Sequence, residues 1–142
     1  MTHSSHVLIS LEERYAAAIF AGEKTVELRR RPMNVEPGST VWIYSKVPVG
    51  SLVGSVRVSA VTESSPTALW NQFGAVSGLS RREFYEYFAG VRKGFALELE
   101  RPCRLGAALP LQLLRELQQG FQPPQFFARL AAHHPFISAA MA

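Results

Sequence analysis

Lys24, Glu27 and Arg29 place two cations and a carboxylate in one short stretch. Glu27 and Arg29 are two residues apart, so on a strand they share a face. Lys24 stands at the turn before that strand, and its stem is long enough to reach the same side. Such a trio suits a polar, planar ligand. The carboxylate can accept from an exocyclic amine or ring N–H, and the guanidinium can bind a phosphate or a carbonyl edge. The same residues also read as a solvated strand face with ordinary salt bridges, and alternation alone favours that plainer reading.

Tyr44, Ser45 and Lys46 form a second candidate group. An aromatic beside a lysine can stack on a base and touch its phosphate; alternatively Tyr44, like Trp42, is a core aromatic with its polar tip satisfied. A third group is basic: Arg29, Arg30 and Arg31, then Arg81 and Arg82, then Arg92 and Lys93. If these converge they make a track for a nucleic-acid backbone; if not, they are dispersed surface charge. Arg81 and Arg82 open a helix, where the dipole does not favour cations, and this suggests a ligand role. His133 and His134 lack cysteine or acidic partners at metal-ligand spacing, and His3 and His6 fall in what reads as a loose N-terminus, so no metal is expected. No phosphate loop, dinucleotide fingerprint or legible serine triad is present, and no cofactor is expected.

These residues need a scaffold. The chain has 142 residues, 47% hydrophobic and 18% charged, which is enough for one core and argues against disorder. A formal charge of +4 favours a polyanionic partner. The single cysteine, Cys103, cannot form an internal disulfide and reads as a small, half-buried strand residue. With no signal-peptide pattern and no apolar run near about 18 residues, a soluble, cytoplasmic protein is expected, a monomer or weak homodimer, with no membrane contact.

Val7-Leu8-Ile9 reads as a buried strand. Ser10 with Glu13 reads as a capping box opening a helix that Gly22 ends. Thr25–Arg29, Val41–Tyr44 and Leu52–Val61 read as strands, the last with a bulge or bend at Gly54. Ser65-Pro66 and the capping box Ser80–Glu83 open two helices, with Leu69, Trp70, Phe73, Phe84, Tyr87 and Phe88 as their apolar stripes. Phe95–Leu99 is a strand and Leu111–Leu117 a short helix. Residues 131–142 read as a loose tail. Strands not evenly alternated with helices indicate an α+β domain with a mainly antiparallel, curled sheet.

The blocks Leu8–Leu11, Tyr15–Ile19 and Gly22–Arg30 resemble the opening of the ASCH domain: strand, helix, a glycine-x-lysine turn and a strand ending in basic residues. Val41–Ser45, Pro48–Gly54, Phe84–Phe88 and Lys93–Leu97 resemble the strands and helix that follow. Pro123–Phe126 resembles the end of a small stand-alone subgroup described as predicted regulators. The resemblance runs from residue 7 to 130. It implies a PUA-like, mostly antiparallel β-barrel with flanking helices and a cleft for RNA or a nucleotide-like ligand. It also favours Lys24, Glu27 and Arg29 as that cleft, with Arg30, Tyr44, Ser45, Lys46, Arg81 and Lys93 as further binding candidates.

One ASCH branch hydrolyses the acetyl amide of N4-acetylcytidine with a lysine, a threonine nucleophile and a distant glutamate. Lys24 matches the lysine. Glu27 stands in the threonine's place, Thr25 is one pleat away, and Ala75–Gly78 offers no carboxylate where the glutamate is expected. Other members are described as ribonucleases. An RNA- or nucleotide-binding module acting as a regulator is therefore the first expectation. A small hydrolase acting on RNA or acetylated nucleosides through the same cleft, with Lys24, Glu27 and Tyr44 as catalytic candidates, is the second. An interaction adaptor with no nucleic-acid role is the third.

Overall fold

The computed structural model describes residues 5–142. Among the described residues six strands form one sheet: β1 (His6–Leu11), β2 (Val26–Arg29), β3 (Thr40–Ser45), β4 (Ser51–Ser64), β5 (Gly94–Pro110) and β6 (Ala128–Leu130). Their order is β2-β5-β4-β3-β1-β6, and all neighbours pair antiparallel except β1 with β3. The expected α+β class and mostly antiparallel sheet are present. Closure into a barrel is not: the edge strands β2 and β6 do not pair with each other. Both are short, which leaves no ladder long enough to join the edges, and short edges also limit unwanted strand addition.

Among the described residues five α-helices pack on this sheet: α1 (Glu13–Phe20), α2 (Pro66–Phe73), α3 (Arg81–Tyr87), α4 (Leu111–Leu117) and α5 (Pro135–Ala140). Alternation along β1 and β3 sends Val7, Ile9, Val41 and Ile43 into one apolar cluster with α1, and Leu8, Trp42 and Tyr44 into another with α4 and α5. A third cluster joins Val26, Leu28 and Ala96 to Leu69 and Phe73 of α2, Phe84 of α3 and Phe88 at the C-terminal cap of α3.

Local chemistry explains α2 and α3. The Ser65 hydroxyl accepts from Ala68 N–H with Pro66 at the first helical position, and Ser80 and Glu83 form a reciprocal capping box. The capping box expected at Ser10 does not form. Ser10 stays in β1, opposite Tyr44 of β3, and α1 begins at Glu13 with Glu12 as its N-cap. Pairing across the sheet outcompetes the local cap. At the other end of α1, Gly22 takes φ 78°; its N–H reaches Ile19 O at 3.1 Å and Glu23 N–H reaches Ala18 O at 2.9 Å. This is the paired-bond stop that a left-handed glycine permits.

Gly54 lies at a register shift between β4 and β5. A Cβ there would collide with the Cys103 carbonyl oxygen and the Phe20 ring, so the close approach requires glycine. Cys103 is exposed on β5 rather than half-buried. His6 belongs to β1, not to a loose end, and its Nδ1 accepts from Trp42 Nε1 at 3.1 Å. His3 lies outside the described residues. The segment expected as a loose tail instead forms α5, which buries Phe136 and Ile137 against Phe121 and Leu114. His134 caps it, its Nδ1 accepting from Phe136 N–H.

Candidate nucleic-acid cleft

The stop at Gly22 aims the chain from α1 into β2 and fixes Lys24 between them, with Lys24 N–H bonded to Ala18 O at 3.1 Å. The Lys24 side chain is 4% exposed. Its stem lies against the Ser77–Gly78 turn, and its Nζ donates to Ser77 O at 2.5 Å. That turn is itself held: Ser77 is fully buried, its hydroxyl donates to Gly74 O and accepts from Leu79 N–H. The stretch 75–78, where the family resemblance implies a glutamate, thus contributes a carbonyl to Lys24.

Glu27 sits between the two cations. Its Oε2 is 2.8 Å from Arg29 Nη2 and its Oε1 is 3.8 Å from Lys24 Nζ. At 6% residue exposure it is not part of a solvated strand face. Burial lowers the Lys24 pKa, Glu27 acts against that shift, and Arg29 adds to it. The ammonium also stands 5.4 Å from the centre of the Tyr15 ring. Arg29 extends the other way, its Nη1 donating to Phe126 O at 3.0 Å.

These residues line a cleft of about 250 Å³ between α1, β2 and α3. Lys24, Glu27, Arg29 and Lys46 are all at its surface, with Lys46 exposed at the rim. Five polar residues that the sequence did not mark as ligands join them: Ser10, Glu12, Tyr15, Glu83 and Tyr87. The Ser10 Oγ is buried and, among the described residues, has no hydrogen-bond partner. The Tyr87 hydroxyl donates to Leu28 O at 3.0 Å, and burial raises its pKa, with Glu27 adding to the rise. Arg14 ties the two helices at the mouth, donating to Glu83 Oε2 at 2.6 Å and to the Tyr15 hydroxyl. Glu83 is held down to about 2, first by the Ser80 backbone N–H and then by Arg14. Tyr87 was legible only as part of an apolar helix stripe and Tyr15 only within the block Tyr15–Ile19; which polar tip meets the cleft depends on how α1 and α3 dock.

The remaining candidates lie elsewhere. Tyr44 is 3% exposed in the cluster under α4 and α5, and burial raises its pKa. Ser45 is buried beside Leu11, its Oγ without a partner among the described residues. Arg30 borders a neighbouring groove and donates to Tyr87 O and Ala89 O. Arg81 is exposed on α3 over the Tyr85 ring. Lys93 lines a separate hollow with Arg92 and Ser65. The basic residues therefore do not form one track around the cleft. Among the described residues no helix is long and apolar enough to cross a membrane.

A mostly antiparallel α+β sheet with a charged cleft between α1, β2 and α3 defines the class, and the comparisons name it. The ASCH domain family model matches residues 9–100, and the chain belongs to the ASCH domain family. An ASCH domain-containing ribonuclease of Zymomonas mobilis is 36% identical over 120 residues, 83% of this chain and 79% of the relative. The crystal structure of ASCH from Zymomonas mobilis superposes with a TM-score of 0.89 at 32% identity, covering 94% of each chain. Human THYN1, solved in complex with 5-methylcytosine containing DNA, shares the fold alone: TM-score 0.59 and 12% identity over 97% of this chain and 96% of that one.

Proposed function

We propose that this protein binds single-stranded RNA in the Lys24–Glu27–Arg29 cleft and cleaves it there. The observation that carries the reading is the Lys24 ammonium, buried in the cleft wall and held by a backbone carbonyl beside an ion-paired Glu27 and Arg29. Its kinship to a relative named a ribonuclease supports it. Cleaving a phosphodiester places extra negative charge on the oxygens around phosphorus. A cation fixed in a water-poor wall stabilises that charge without reorganising at the moment of reaction. In this reading Lys24 and Arg29 meet the scissile phosphate, Glu27 keeps both in position, and Lys46 at the rim meets a flanking phosphate. The cleft size suits one nucleotide unit at a time.

Acetyl-amide hydrolysis has less support. The threonine position is occupied by a buried, ion-paired Glu27, and the 75–78 turn supplies the Ser77 carbonyl instead of an acid. The test is incubation with end-labelled single-stranded RNA, with Lys24→Met alongside. Shortened products with the parent protein and intact RNA with the variant are expected. Tight binding that leaves RNA intact with both would make the protein a binder, and absence of both binding and cleavage would refute the reading.

A further inference from the structure

Arg29 separates the cleft from a second groove of about 490 Å³. Arg30, Arg31, Tyr87, Gln125 and Phe126 border this groove, and among the described residues no carboxylate lines it. Gln125 faces this second groove rather than the cleft. Phe126 is 57% exposed, an unusual position for a large apolar ring in a chain that buries most of its other phenylalanines. Its backbone carbonyl is anchored by Arg29 Nη1. The Arg31 guanidinium stands 5.0 Å from the ring centre, exposed, with no ion pair or hydrogen bond among the described residues. The guanidinium thus covers one side of the ring in a cation–π contact, and the exposed remainder of the ring, beside a cation with no anionic partner among the described residues, is the pairing that single-stranded nucleic acid uses: the base stacks and the cation takes the phosphate.

We infer that this groove is a subsite for the nucleotide next to the one in the cleft, with its base on Phe126, its phosphate on Arg31, and Arg29 as the shared wall. The inference rests on the RNA reading above and extends it: recognition spans at least two successive nucleotides. A flat, purely electrostatic surface would not need Phe126. A lone mononucleotide site would need neither Phe126 nor Arg31.

The experiment is fluorescence anisotropy with a labelled 2′-O-methyl hexanucleotide, which resists cleavage, across a salt series. The proteins are the parent, Phe126→Ala, Phe126→Trp and Arg31→Gln. Both positions are exposed, and thermal melts confirm that each variant folds. Phe126→Ala should weaken binding about 5- to 150-fold with the salt slope unchanged. Phe126→Trp should restore it. Arg31→Gln should weaken binding and flatten the log–log salt slope by about 0.7. Parent binding that Phe126→Ala leaves intact would overturn the subsite while sparing the cleft. No binding by the parent would overturn both.

Discussion

Replacing Glu27 by glutamine removes one charge from a site that holds two cations and leaves its volume unchanged. The three side chains are 4%, 8% and 13% exposed for Lys24, Glu27 and Arg29. Removing one partner from a buried ion pair costs about 3–5 kcal/mol. Here the amide oxygen still accepts from Arg29 and Arg29 keeps a solvated edge, so the expected loss is about 2–3 kcal/mol. For a domain of this size about 1 kcal/mol moves Tm by roughly 3–4 °C, so the fall should be about 6–12 °C. The loss should also depend on pH. Burial lowers the Lys24 pKa and Glu27 partly restores it, so without Glu27 it falls further. A group whose folded pKa is lowered contributes stability above its ordinary pKa and loses it as pH falls through the lowered one. As pH rises from neutral, Lys24 in the variant gives up its proton before Lys24 in the parent, and the deficit narrows. Urea unfolding followed by tryptophan fluorescence, near pH 7 and about pH 9.5, measures both effects. A deficit under about 0.5 kcal/mol, or one that does not shrink with pH, would refute the buried-triad account.

Activity that needs protonated Lys24 should fall on the alkaline side at a pH below that of an ordinary lysine, and Lys24→Arg, if active, should push that limb beyond the measurable range; initial rates against pH decide this. Gly54→Ala should destabilise by about 1–3 kcal/mol or more, because the obstructing Cys103 carbonyl belongs to the backbone of the paired strand; denaturant midpoints measure it. Glu83→Gln should melt below the parent at pH 6 and the gap should close as pH falls through about 2, since the lowered folded pKa of Glu83 contributes stability only above it; a gap constant with pH would contradict the Arg14–Glu83 bridge.

Elements built by local chemistry were legible in the sequence. The Ser65-Pro66 and Ser80–Glu83 caps are short-range devices, and both helices start where those residues say. The Gly22 stop is equally local. Where long-range pairing decides, the sequence misled. Ser10 carries a capping signal but sits opposite Tyr44 on a parallel neighbour. Strand β5 runs on to Pro110 through Arg101 at φ 51°, Pro102 and an exposed stretch that breaks alternation, so only its Phe95–Leu99 part showed a strand pattern. The charged centre of the candidate cleft was legible because Lys24, Glu27 and Arg29 are close in sequence. Ser10, Tyr15 and Tyr87 come from β1, α1 and α3, and only docking reveals which of their atoms face the cleft. Tyr44 reads equally well as stacking platform or core residue; the alternation that points it toward α4 and α5 has meaning only once those helices are placed.

The most direct measurement is cleavage of end-labelled single-stranded RNA by the parent protein and by Lys24→Met, with folding of both checked by thermal melts. Lys24→Met should keep Tm within about 4 °C, because the lost Ser77 bond is offset by relief of a buried charge. It should lose cleavage by about 100-fold or more. A folded Lys24→Met protein that cleaves RNA as fast as the parent would contradict the assignment of this cleft.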